Sequence, residues 1–379
     1  MKIRVVGGGP AGLFFAYLMK RDDPNHDVRV YERGTESATY GWGLVFSDTA
    51  LSFVCAVAPE LYTSMIRGQV VFDVVTVVHQ GQPVNLAHTF HRMGRIDLLR
   101  AFHIQCRKVG VAIEFGRSVD DVTEFTDCDL LVAADGANSA IRSRYKEHFQ
   151  PLLDERPNFL AWFGTTRLFE ALTLIFRQNK HGLVIAHCYQ YSPTHSTFLV
   201  EVDPVTFKKA GLDHMSEIEC QRYCECAFAD DLKGHQLLSN KSSWFRYAIV
   251  KNEQWYHRNV VLLGDALRTG HPSIGSGTRL ALQDSIALFE AYKKCGPNVP
   301  GLLAEFVRMR RPGSDSLQDA AIKSSAWYED LGPKLHLDPI SFAYDYLLRT
   351  GRVVHADVRT RDPDLAAAYE RLHPEISFE

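Results

Sequence analysis

The chain has 379 residues, of which 46% are hydrophobic and 23% charged, and its formal net charge is −3 at pH 7. This length suggests about two domains with an ample core, and a slightly acidic chain without a basic run is not expected to bind nucleic acid. No segment approaches the ~18 consecutive apolar residues of a membrane helix, and a predicted strand that starts at Lys2 leaves no room for a secretory signal, so we expect neither a membrane partner nor secretion.

The eight cysteines form no framework of regular pairs, which is typical of reduced thiols and indicates a cytoplasmic protein. One cluster suggests a metal site, because Cys220, Cys224 and Cys226 precede His235. The spacing of Cys220 and Cys224 is better explained as one face of a helix over 216–228, since residues four apart share a helix face. The paired Cys-x2-Cys spacing of structural zinc sites is missing, so we expect no metal ion.

A glycine-rich turn lies between the first predicted strand and the first predicted helix. Its sequence is Gly7-Gly8-Gly9-Pro10-Ala11-Gly12. Gly7 would allow the tight turn, Gly9 would let backbone N–H groups approach a pyrophosphate, and Gly12 would let the helix pack on the sheet. Glu32 lies twenty residues after Gly12, at the end of the second predicted strand, where it can accept a hydrogen bond from a ribose hydroxyl. This combination predicts a bound dinucleotide; the alternative is a glycine-rich turn without a ligand.

An aromatic loop and a set of further strands and helices come next. Residues 40–48 are rich in glycine and aromatics, and Asp48 is expected to cap a helix that runs to about residue 65. The elements predicted after it are strands at 70–79 and 83–90 joined by a turn at 80–82, a helix at 95–108, and strands at 111–115 and 129–134.

From residue 158 onward, strands follow one another with short turns between them. They are predicted at 159–168, 172–178, 183–191 and 196–202, with a last one at 243–250. Succession without intervening helices predicts an antiparallel sheet and therefore a second domain. We expect the hairpin at 70–90 to join this sheet, which makes the first domain discontinuous. The predicted division is 1–69, 91–157 and 251–330 for the first domain, 70–90 and 158–250 for the second, and 331–379 for a helical tail.

Loops with glycine and a carboxylate follow two more predicted strands. Asp135-Gly136 follows the strand at 129–134, and Gly264-Asp265 follows a buried strand at 259–263. Ligands of open α/β sheets bind beyond the carboxyl ends of the strands, so these loops and the glycine turn are expected to meet around one ligand. The Asp265 carboxylate would accept from a ribitol or ribose hydroxyl; the alternative is a helix cap.

A turn with a proline and a glycine precedes the helix predicted at 277–293. Pro272 would stiffen the turn before it, and Gly275 and Gly277 would leave backbone N–H groups open at its start. The helix dipole adds partial positive charge there. This end of the helix could face the electron-rich edge of a flavin and stabilise its anionic reduced ring. A second long helix is predicted at 302–330.

These motifs, in this order, resemble those of the single-component (group A) FAD-dependent aromatic hydroxylases, whose fold is typified by para-hydroxybenzoate hydroxylase. The matching segments are the glycine turn with Glu32, Asp135-Gly136 with Ser139 and Arg142, Gly264-Asp265, and Arg95 in the segment Arg-x-x-Leu-Leu. The resemblance extends to about residue 330. It implies an α/β fold in which a Rossmann-like, glutathione-reductase-type FAD-binding domain carries an inserted antiparallel-sheet substrate domain and a helical C-terminus.

The resemblance also implies which residues hold FAD. Glu32 would bind the adenosine ribose with Arg33 as its neighbour, Arg95 would contact the cofactor, and the Asp135-Gly136 motif is associated with both FAD and the nicotinamide cofactor. The other FAD-binding positions in the matching motifs are Gly7, Gly9, Pro10, Ala11, Gly12, Gly264, Asp265, Pro272, Gly275 and Gly277.

Trp42 and Gly43 lie where the loop of this family approaches the flavin. Trp42 would shield the ring from water, which protects a reactive oxygen intermediate. The alternative for Trp42 is ordinary packing, since aromatic side chains are common in cores.

A closer resemblance is to the salicylyl-CoA 5-hydroxylases, carried by the segments 40–48, 162–165, 186–191 and 196–201. The tryptophan hydroxylase of violacein biosynthesis shares much of this pattern, including 271–275. The resemblance implies hydroxylation of an aromatic ring with FAD, dioxygen and NAD(P)H through a C4a-hydroperoxyflavin, with NADH as the favoured reductant. There is one nucleotide fingerprint, so NAD(P)H is expected to visit as a co-substrate. We expect an aryl-CoA thioester such as salicylyl-CoA, hydroxylated at its 5-position; the alternative is an indole or tryptophan-derived substrate.

The predicted strand at 183–191 carries the residues expected to meet the substrate. His187, Tyr189 and Tyr191 share one face by the period of two. A histidine beside tyrosines can bind and polarise a phenol or an indole N–H, so we expect His187 and Tyr189 to be catalytic. The alternative is that they are polar outer-face residues or satisfied core groups.

Two other classes share parts of the pattern. A flavin-dependent halogenase is disfavoured because its Trp-x-Trp-x-Ile-Pro motif is absent. A non-redox protein of this fold, which binds prenylated partners, is disfavoured because it has no need of the Asp135-Gly136 motif or of the flavin-edge loop.

Overall fold

The computed structural model of the protein describes residues 1–38, 42–47, 51–66 and 70–377. In chain order its strands are β1 (Lys2–Val6), β2 (Asp27–Glu32), β3 (Gly43–Ser47), β4 (Val70–His79), β5 (Gln82–Gly94), β6 (Ala112–Phe115), β7 (Leu130–Ala133), β8 (Pro151–Thr165), β9 (Leu172–Asn179), β10 (Gly182–Gln190), β11 (Ser196–Val202), β12 (Leu237–Leu238), β13 (Phe245–Asn252), β14 (Tyr256–His257) and β15 (Val260–Leu262). Its α-helices are α1 (Pro10–Asp22), α2 (Ser52–Val57), α3 (Pro59–Ile66), α4 (Arg95–Val109), α5 (Ala140–Arg144), α6 (Lys146–Phe149), α7 (Pro204–Ala210), α8 (Glu217–Ala227), α9 (Ala229–Leu232), α10 (Gly277–Cys295), α11 (Val299–Glu329), α12 (Pro339–Leu348), α13 (His355–Arg361) and α14 (Pro363–Leu372).

The first sheet is built around β1, which pairs in parallel with β2 on one side and β7 on the other. Its strand order is β14-β15-β7-β1-β2-β6, and the short edge strand β14 is antiparallel to β15. The central strands are runs of buried apolar residues, as expected for a parallel sheet covered on both faces. Helix α1 packs against α4 and α10. This Rossmann-like sheet confirms the predicted α/β fold.

The second sheet contains the predicted succession of strands, but it is mixed. Its order is β12-β8-β11-β10-β9-β4-β5-β3, with β13 paired to β8. The β4–β5 hairpin joins it as predicted, and β4 runs parallel to β9, with Val75 opposite Leu172. The predicted antiparallel sheet is confirmed at the other described pairings and was wrong at this one. Residues so far apart in sequence are not joined by a hairpin, so no tight turn fixes their relative direction. The boundaries of the two domains stay a prediction.

Two predicted elements differ in extent from the observed ones. The helix expected from Asp48 to residue 65 begins outside the described residues, and its described part is two helices, α2 and α3, that meet at Ala58-Pro59. Proline disfavours helical geometry in the residue before it, which explains the break. Strand β8 starts at Pro151, eight residues earlier than predicted, because its polar first half pairs with β13.

The two faces of β10 are buried against different helices. Ala186 and Cys188 point into a core formed with α7, α8 and α9, in which Cys220 and Cys224 lie on the buried face of α8. Ile185, on the opposite face, packs with aromatic residues of α11 and α12. The period of two places His187 and Tyr189 on this second face.

The C-terminal segment is helical, as predicted, and covers part of the second sheet. Phe342 of α12 stacks on His79 of β4 at 3.9 Å between ring centroids and meets Phe176 of β9 edge-on. Among the described residues, no helix combines the length and the apolar character that crossing a membrane requires.

Candidate active site

A pocket of about 220 Å³ opens at the carboxyl ends of β1, β2 and β7. Predicted cofactor residues on its wall are Gly7, Gly9, Pro10, Glu32, Arg33, Arg95, Asp135 and Gly136. Helix α1 starts at Pro10, and its N-cap residue Gly9 gives no side-chain cap, so the first N–H groups of the helix are open. A methyl group at Gly9 would meet no atom within 4 Å. This space in front of a helix N-terminus suits a phosphate group.

The glycine turn is also packed tightly against its neighbours. Gly7 has φ +109°, and a Cβ added there would lie 2.1 Å from the Ala134 carbonyl oxygen. A Cβ on Gly12 would lie 2.2 Å from the Gly7 carbonyl oxygen. Ala11 is buried and lies behind the turn, against Gly264. Ala11 and Gly12 therefore contribute close packing, and the pocket wall is formed by the residues before them.

Glu32 is fixed by the backbone on both sides of the pocket. Its Oε2 accepts from the Gly8 N–H at 2.7 Å, and its Oε1 accepts from the Gly34 N–H at 2.6 Å. A carboxylate has about four lone-pair directions, so each oxygen keeps capacity for one more donor. Arg33 is exposed on the same wall.

Asp135 has one partnered and one unpartnered carboxylate oxygen. Oδ2 accepts from the Ile141 N–H at 3.3 Å, whereas Oδ1 is buried and has no hydrogen-bond partner among the described residues. Burial raises the pKa of this carboxyl above its usual value. Buried polar atoms are almost always hydrogen-bonded in native proteins, so this oxygen is a place for a donor from a bound molecule.

Arg142 joins the Asp135 loop, which follows β7, to the Gly264 loop, which follows β15. Its guanidinium donates to the Ala266 carbonyl at 3.0 Å and to the Ala137 carbonyl at 2.5 Å. Ser139 caps α5 by accepting from the Arg142 N–H at 2.9 Å. Both side chains therefore hold the loops in place.

Asp265 lies in the Gly264 loop after β15, which packs against the glycine turn. Gly264 has φ +60°, and a Cβ there would come within 2.8 Å of the Ala11 Cβ. Asp265 is half-buried and caps no helix, and no described residue donates a hydrogen bond to its side chain. Burial raises its pKa, and the positive charge of Arg95 opposes that shift. The carboxylate is thus available to an outside donor.

The turn at Pro272–Ile274 leads into α10. Gly275 ends this turn with φ +60°, and a Cβ there would lie 3.0 Å from the Val45 carbonyl oxygen. Its N–H donates to the Pro272 carbonyl at 3.0 Å, so the prediction of an open N–H at Gly275 was wrong. His271 caps the turn by accepting from the Ser273 N–H at 3.3 Å. The N-cap residue of α10 gives no side-chain cap, and a Cβ on Gly277 would meet nothing within 4 Å. A second helix N-terminus therefore faces open space.

Trp42 and Gly43 connect the cofactor side to the second sheet. A Cβ on Gly164 would lie 2.9 Å from the indole ring of Trp42, which shows how closely Trp42 lies on β8. Gly43 donates its N–H to Thr197 Oγ1 at 3.0 Å and accepts from the Tyr189 hydroxyl at 2.9 Å. Burial raises the pKa of Tyr189 to about 12. The Tyr189 hydroxyl is thus committed to β3.

Arg95 lies between the pocket and Trp42. The backbone N–H of Arg95 donates to the Trp42 carbonyl at 3.2 Å, and the Arg95 side chain lines the pocket. The guanidinium charge lowers the pKa of Asp265, of Tyr189 and of Tyr247, in each case against the larger, opposite effect of burial. Arg95 is therefore close to Asp265 on the side of the first sheet and to Tyr189 of the second sheet.

A buried histidine–carboxylate hydrogen bond lies on the second sheet at the face toward α11. His187 Nε2 is 3.1 Å from Glu201 Oε2, and the Asn158 side-chain N–H group donates to Glu201 Oε1 at 2.8 Å. Glu201 is 1% exposed. Burial raises the pKa of Glu201, but His187, His271 and the amide of Asn158 outweigh it and hold that pKa below its usual value. Glu201 is thus an anionic partner for His187.

Glu201, the hydrogen-bond partner of His187, is not among the residues predicted from the sequence. The available signal is its position in the run Phe198-Leu199-Val200-Glu201-Val202, since a carboxylate inside a buried strand needs a partner. The strand pairing supplies that partner, because Ile185 is opposite Glu201 and His187 is two residues further along the same face.

Comparison with known proteins places this geometry in a family. Residues 99–319 match the FAD binding domain family, and residues 5–74 match the NAD(P)-binding Rossmann-like domain family. The chain is 35% identical to salicyloyl-CoA 5-hydroxylase from Streptomyces sp over 92% of this chain and 70% of that protein. It is 32% identical to protodeoxyviolaceinate monooxygenase from Chromobacterium violaceum, over 91% of this chain and 94% of the relative. It is 33% identical to 3-hydroxy-4-methyl-anthranilyl-[aryl-carrier protein] 5-monooxygenase from Streptosporangium sibiricum, over 95% and 97% of the two chains.

Solved structures show the same fold. A tetrameric form of 2-methyl-3-hydroxypyridine-5-carboxylic acid oxygenase superposes with a TM-score of 0.70 at 17% identity, covering 95% of both chains. PqsL of Pseudomonas aeruginosa superposes with a TM-score of 0.67 at 20% identity, covering 87% of this chain and 97% of PqsL. The family match over more than half of the chain and the relatives above 30% identity lead to one conclusion: the chain belongs to the FAD-binding monooxygenases and is a flavoprotein aromatic hydroxylase.

Proposed function

We propose that the protein hydroxylates the ring of an aryl-CoA thioester, such as salicylyl-CoA at its 5-position, with FAD, dioxygen and NADH. The observation that carries the substrate class is the 35% identity with salicyloyl-CoA 5-hydroxylase over 92% of this chain. A second relative is named for an anthranilyl group on an aryl-carrier protein, which again is an aryl group on a carrier. The runner-up is an indole-derived substrate, supported by the 32% identity with protodeoxyviolaceinate monooxygenase.

The adenosine end of FAD is assigned to the pocket at the end of β1. The pyrophosphate would lie at the open N-terminus of α1, beside Gly9 and Pro10. Glu32 would accept from the adenosine ribose, and the exposed Arg33 would lie beside it. Gly7, Ala11 and Gly12 would hold the shape of the turn.

The flavin end is assigned to the Asp135 loop and the Gly264 loop. The unpartnered oxygen of Asp135 and the available carboxylate of Asp265 would accept hydrogen bonds from FAD, and Gly136 and Gly264 shape their loops. The isoalloxazine ring would lie before α10, whose first N–H groups, from Gly277 onward, have no side-chain cap. Pro272 and Gly275 would shape the turn that leads to it, since the Gly275 N–H donates to the Pro272 carbonyl at 3.0 Å. Arg95, Trp42 and Gly43 would border it on the side of the second sheet.

The domain division follows from this assignment. We propose that 1–69, 91–157 and 251–330 bind FAD and that 70–90 and 158–250 bind the aromatic substrate. The segment 331–379 would be a helical tail that covers the second sheet.

The reaction assigns separate tasks to the cofactor and the chain. When bound, FAD supplies the redox chemistry, taking a hydride from NAD(P)H and activating dioxygen for insertion into the ring. His187 would take up the proton of the substrate hydroxyl, which makes the ring more electron-rich. The anionic Glu201 accepts from Nε2–H, which leaves Nδ1 of His187 as the acceptor. Tyr189 would act by holding β3 and Trp42 in place, and Trp42 would exclude water from the ring.

The test is stimulated NADH consumption by the FAD-loaded protein. Salicylyl-CoA, salicylate and tryptophan are each added, and the product is identified by mass spectrometry with NADH and then NADPH as reductant. We expect stimulation and a product one oxygen heavier with salicylyl-CoA and NADH. Stimulation by tryptophan alone would overturn the CoA assignment in favour of the indole substrate, and a protein that takes up no FAD would overturn the assignment of the cofactor residues.

A further inference from the structure

Arg349 connects the C-terminal tail to the turn before α10. It follows α12, and its Nη2 donates to the Ser273 carbonyl at 3.1 Å. Its Nε donates to Ser324 Oγ at 3.0 Å, and its Nη1 donates to the Tyr346 carbonyl at 2.8 Å. The guanidinium lies 3.8 Å from the centre of the Tyr346 ring. No carboxylate within the described ranges forms an ion pair with it.

The same turn is held from two other directions. Ser273 Oγ donates to Ser324 Oγ of α11 at 2.8 Å, and Ser324 is fully buried. His271 accepts from the Ser273 N–H at 3.3 Å. The carbonyl, the hydroxyl and the backbone N–H of Ser273 are thus bonded to Arg349, Ser324 and His271, respectively. The partner from the tail is the charged side chain.

We infer that Arg349 is a positioning residue through which the C-terminal tail fixes the turn at Pro272–Ile274 and adds positive charge beside the N-terminus of α10. This inference rests on the proposed placement of the isoalloxazine ring in front of that turn. The charge of Arg349 has no acidic partner among the described residues, and α10 adds about half a positive charge at the same end. Both favour an electron-rich flavin, so loss of Arg349 should loosen the turn and disfavour reduced FAD.

Two substitutions separate the charge from the geometry. Arg349→Met keeps the apolar stem on Tyr346 but removes all donors, and Arg349→Lys keeps the charge but loses the planar fork. The matched control is Arg359→Gln, which removes an exposed tail arginine that pairs with Glu370 at 2.7 Å. Each variant is checked for its thermal unfolding midpoint first.

The first readout is amide hydrogen exchange over 273–277 in the full chain stripped of FAD. A hydrogen bond from a charged donor opposes opening, so we expect exchange to accelerate about tenfold in Arg349→Met and to stay unchanged in Arg359→Gln. Unchanged exchange in Arg349→Met, with a lower unfolding midpoint alone, would overturn the inference and leave Arg349 a stability residue.

The second readout is the flavin itself, in protein reloaded with FAD. We expect Arg349→Met to lower the midpoint potential and to raise the Kd for FAD, with Arg349→Lys nearer to the unaltered protein in potential than in Kd. Faster exchange with an unchanged potential and Kd would overturn the inferred action on the flavin. If instead the unaltered protein takes up no FAD while exchange still responds to Arg349→Met, the proposed function fails and the fixing of the turn stands.

Discussion

The Glu201 carboxylate lies inside the second sheet with one oxygen bonded to His187 and the other to Asn158. An anion in this position is tolerated because both oxygens have donors, and it would be costly if either were removed. The same arrangement fixes which nitrogen of His187 carries the proton, because the hydrogen bond at one ring nitrogen of a histidine sets the protonation of the other. The orientation and tautomer of His187 are therefore set by a residue on the neighbouring strand.

We expect Glu201→Gln and His187→Gln each to lower kcat about a hundredfold, the usual effect of losing a general base, with a smaller change in KM. The double variant should be hardly worse than either single one, because both changes disable the same unit. Steady-state hydroxylation rates over a range of pH check this, with the unfolding midpoint of each variant as a test of folding.

The control for this pair is Glu155→Gln, which changes an exposed carboxylate on β8. Its rate should equal that of the unaltered protein. Effects of the two single substitutions that multiply in the double variant would show that His187 and Glu201 do not act together.

Gly264 is required by both its backbone and its neighbours. With φ +60° and a prospective Cβ contact of 2.8 Å with Ala11, Gly264→Ala should lower the free energy of unfolding by about 2 kcal/mol. Denaturant unfolding measures this. Gly332→Ala is the matched control, since a Cβ there meets nothing within 4 Å; an equal loss in both variants would contradict the packing argument.

At the scale of elements, β3 is the strand that ties the cofactor side to the substrate sheet. It pairs with β5, and Gly43 is bonded to β10 through Tyr189 and to β11 through Thr197. The Trp42 carbonyl also accepts from the backbone N–H of Arg95, the first residue of α4. A short strand with these ties places Trp42 between the two halves of the site.

Tyr189→Phe should test this tie. The Gly43 carbonyl loses a buried donor, which should cost about 1 kcal/mol of stability, and a less firmly held Trp42 should admit water. We expect more hydrogen peroxide and less hydroxylated product for each NADH consumed, with binding of FAD preserved. Tyr223→Phe, which removes a hydroxyl bonded to Asn179 far from this strand, should leave the product yield unchanged. A normal yield in Tyr189→Phe would contradict the role given to the tie.

At the scale of the whole molecule, the proposed site would lie between the two sheets and depend on both. The parallel sheet brings the glycine turn, the Asp135 loop and the Gly264 loop together, and Arg142 bonds two of them to each other. The mixed sheet brings His187 and Glu201 to the face that meets α11, while the tail reaches back to Ser273. The proposed site would therefore draw on residues from nearly the whole length of the chain.

The buried carboxylate of Glu201 should also make the free energy of unfolding depend on pH in the acid range. The folded-state pKa of Glu201 is below its usual value, so its contribution to stability is present above the unfolded pKa and is lost as pH falls through the folded pKa. The difference in unfolding free energy between the unaltered protein and Glu201→Gln should shrink over that acid range. Denaturant unfolding at several pH values measures it; a difference that stays constant with pH would contradict an anionic Glu201.

The sequence predicted most of the fold because its signals are local. The glycine turn, the buried strands and the hairpin at 70–90 follow from periodicity and turn chemistry, which act between near neighbours. The fold and the family are confirmed, whereas the individual cofactor and catalytic roles stay predictions. The parallel pairing of β4 with β9 and the early start of β8 escaped prediction, because each depends on a partner strand far away in sequence.

The sequence by itself determined that a dinucleotide-type turn, two carboxylate loops and an aromatic strand are present, since each is encoded in a few consecutive residues. Tertiary structure alone decided which face of β10 meets α11, that Glu201 is the partner of His187, that the Tyr189 hydroxyl is occupied by Gly43, and that Arg349 reaches Ser273. These contacts join residues 14 to 146 positions apart. Hydrogen bonds and burial act through space, so only the packed chain specifies them.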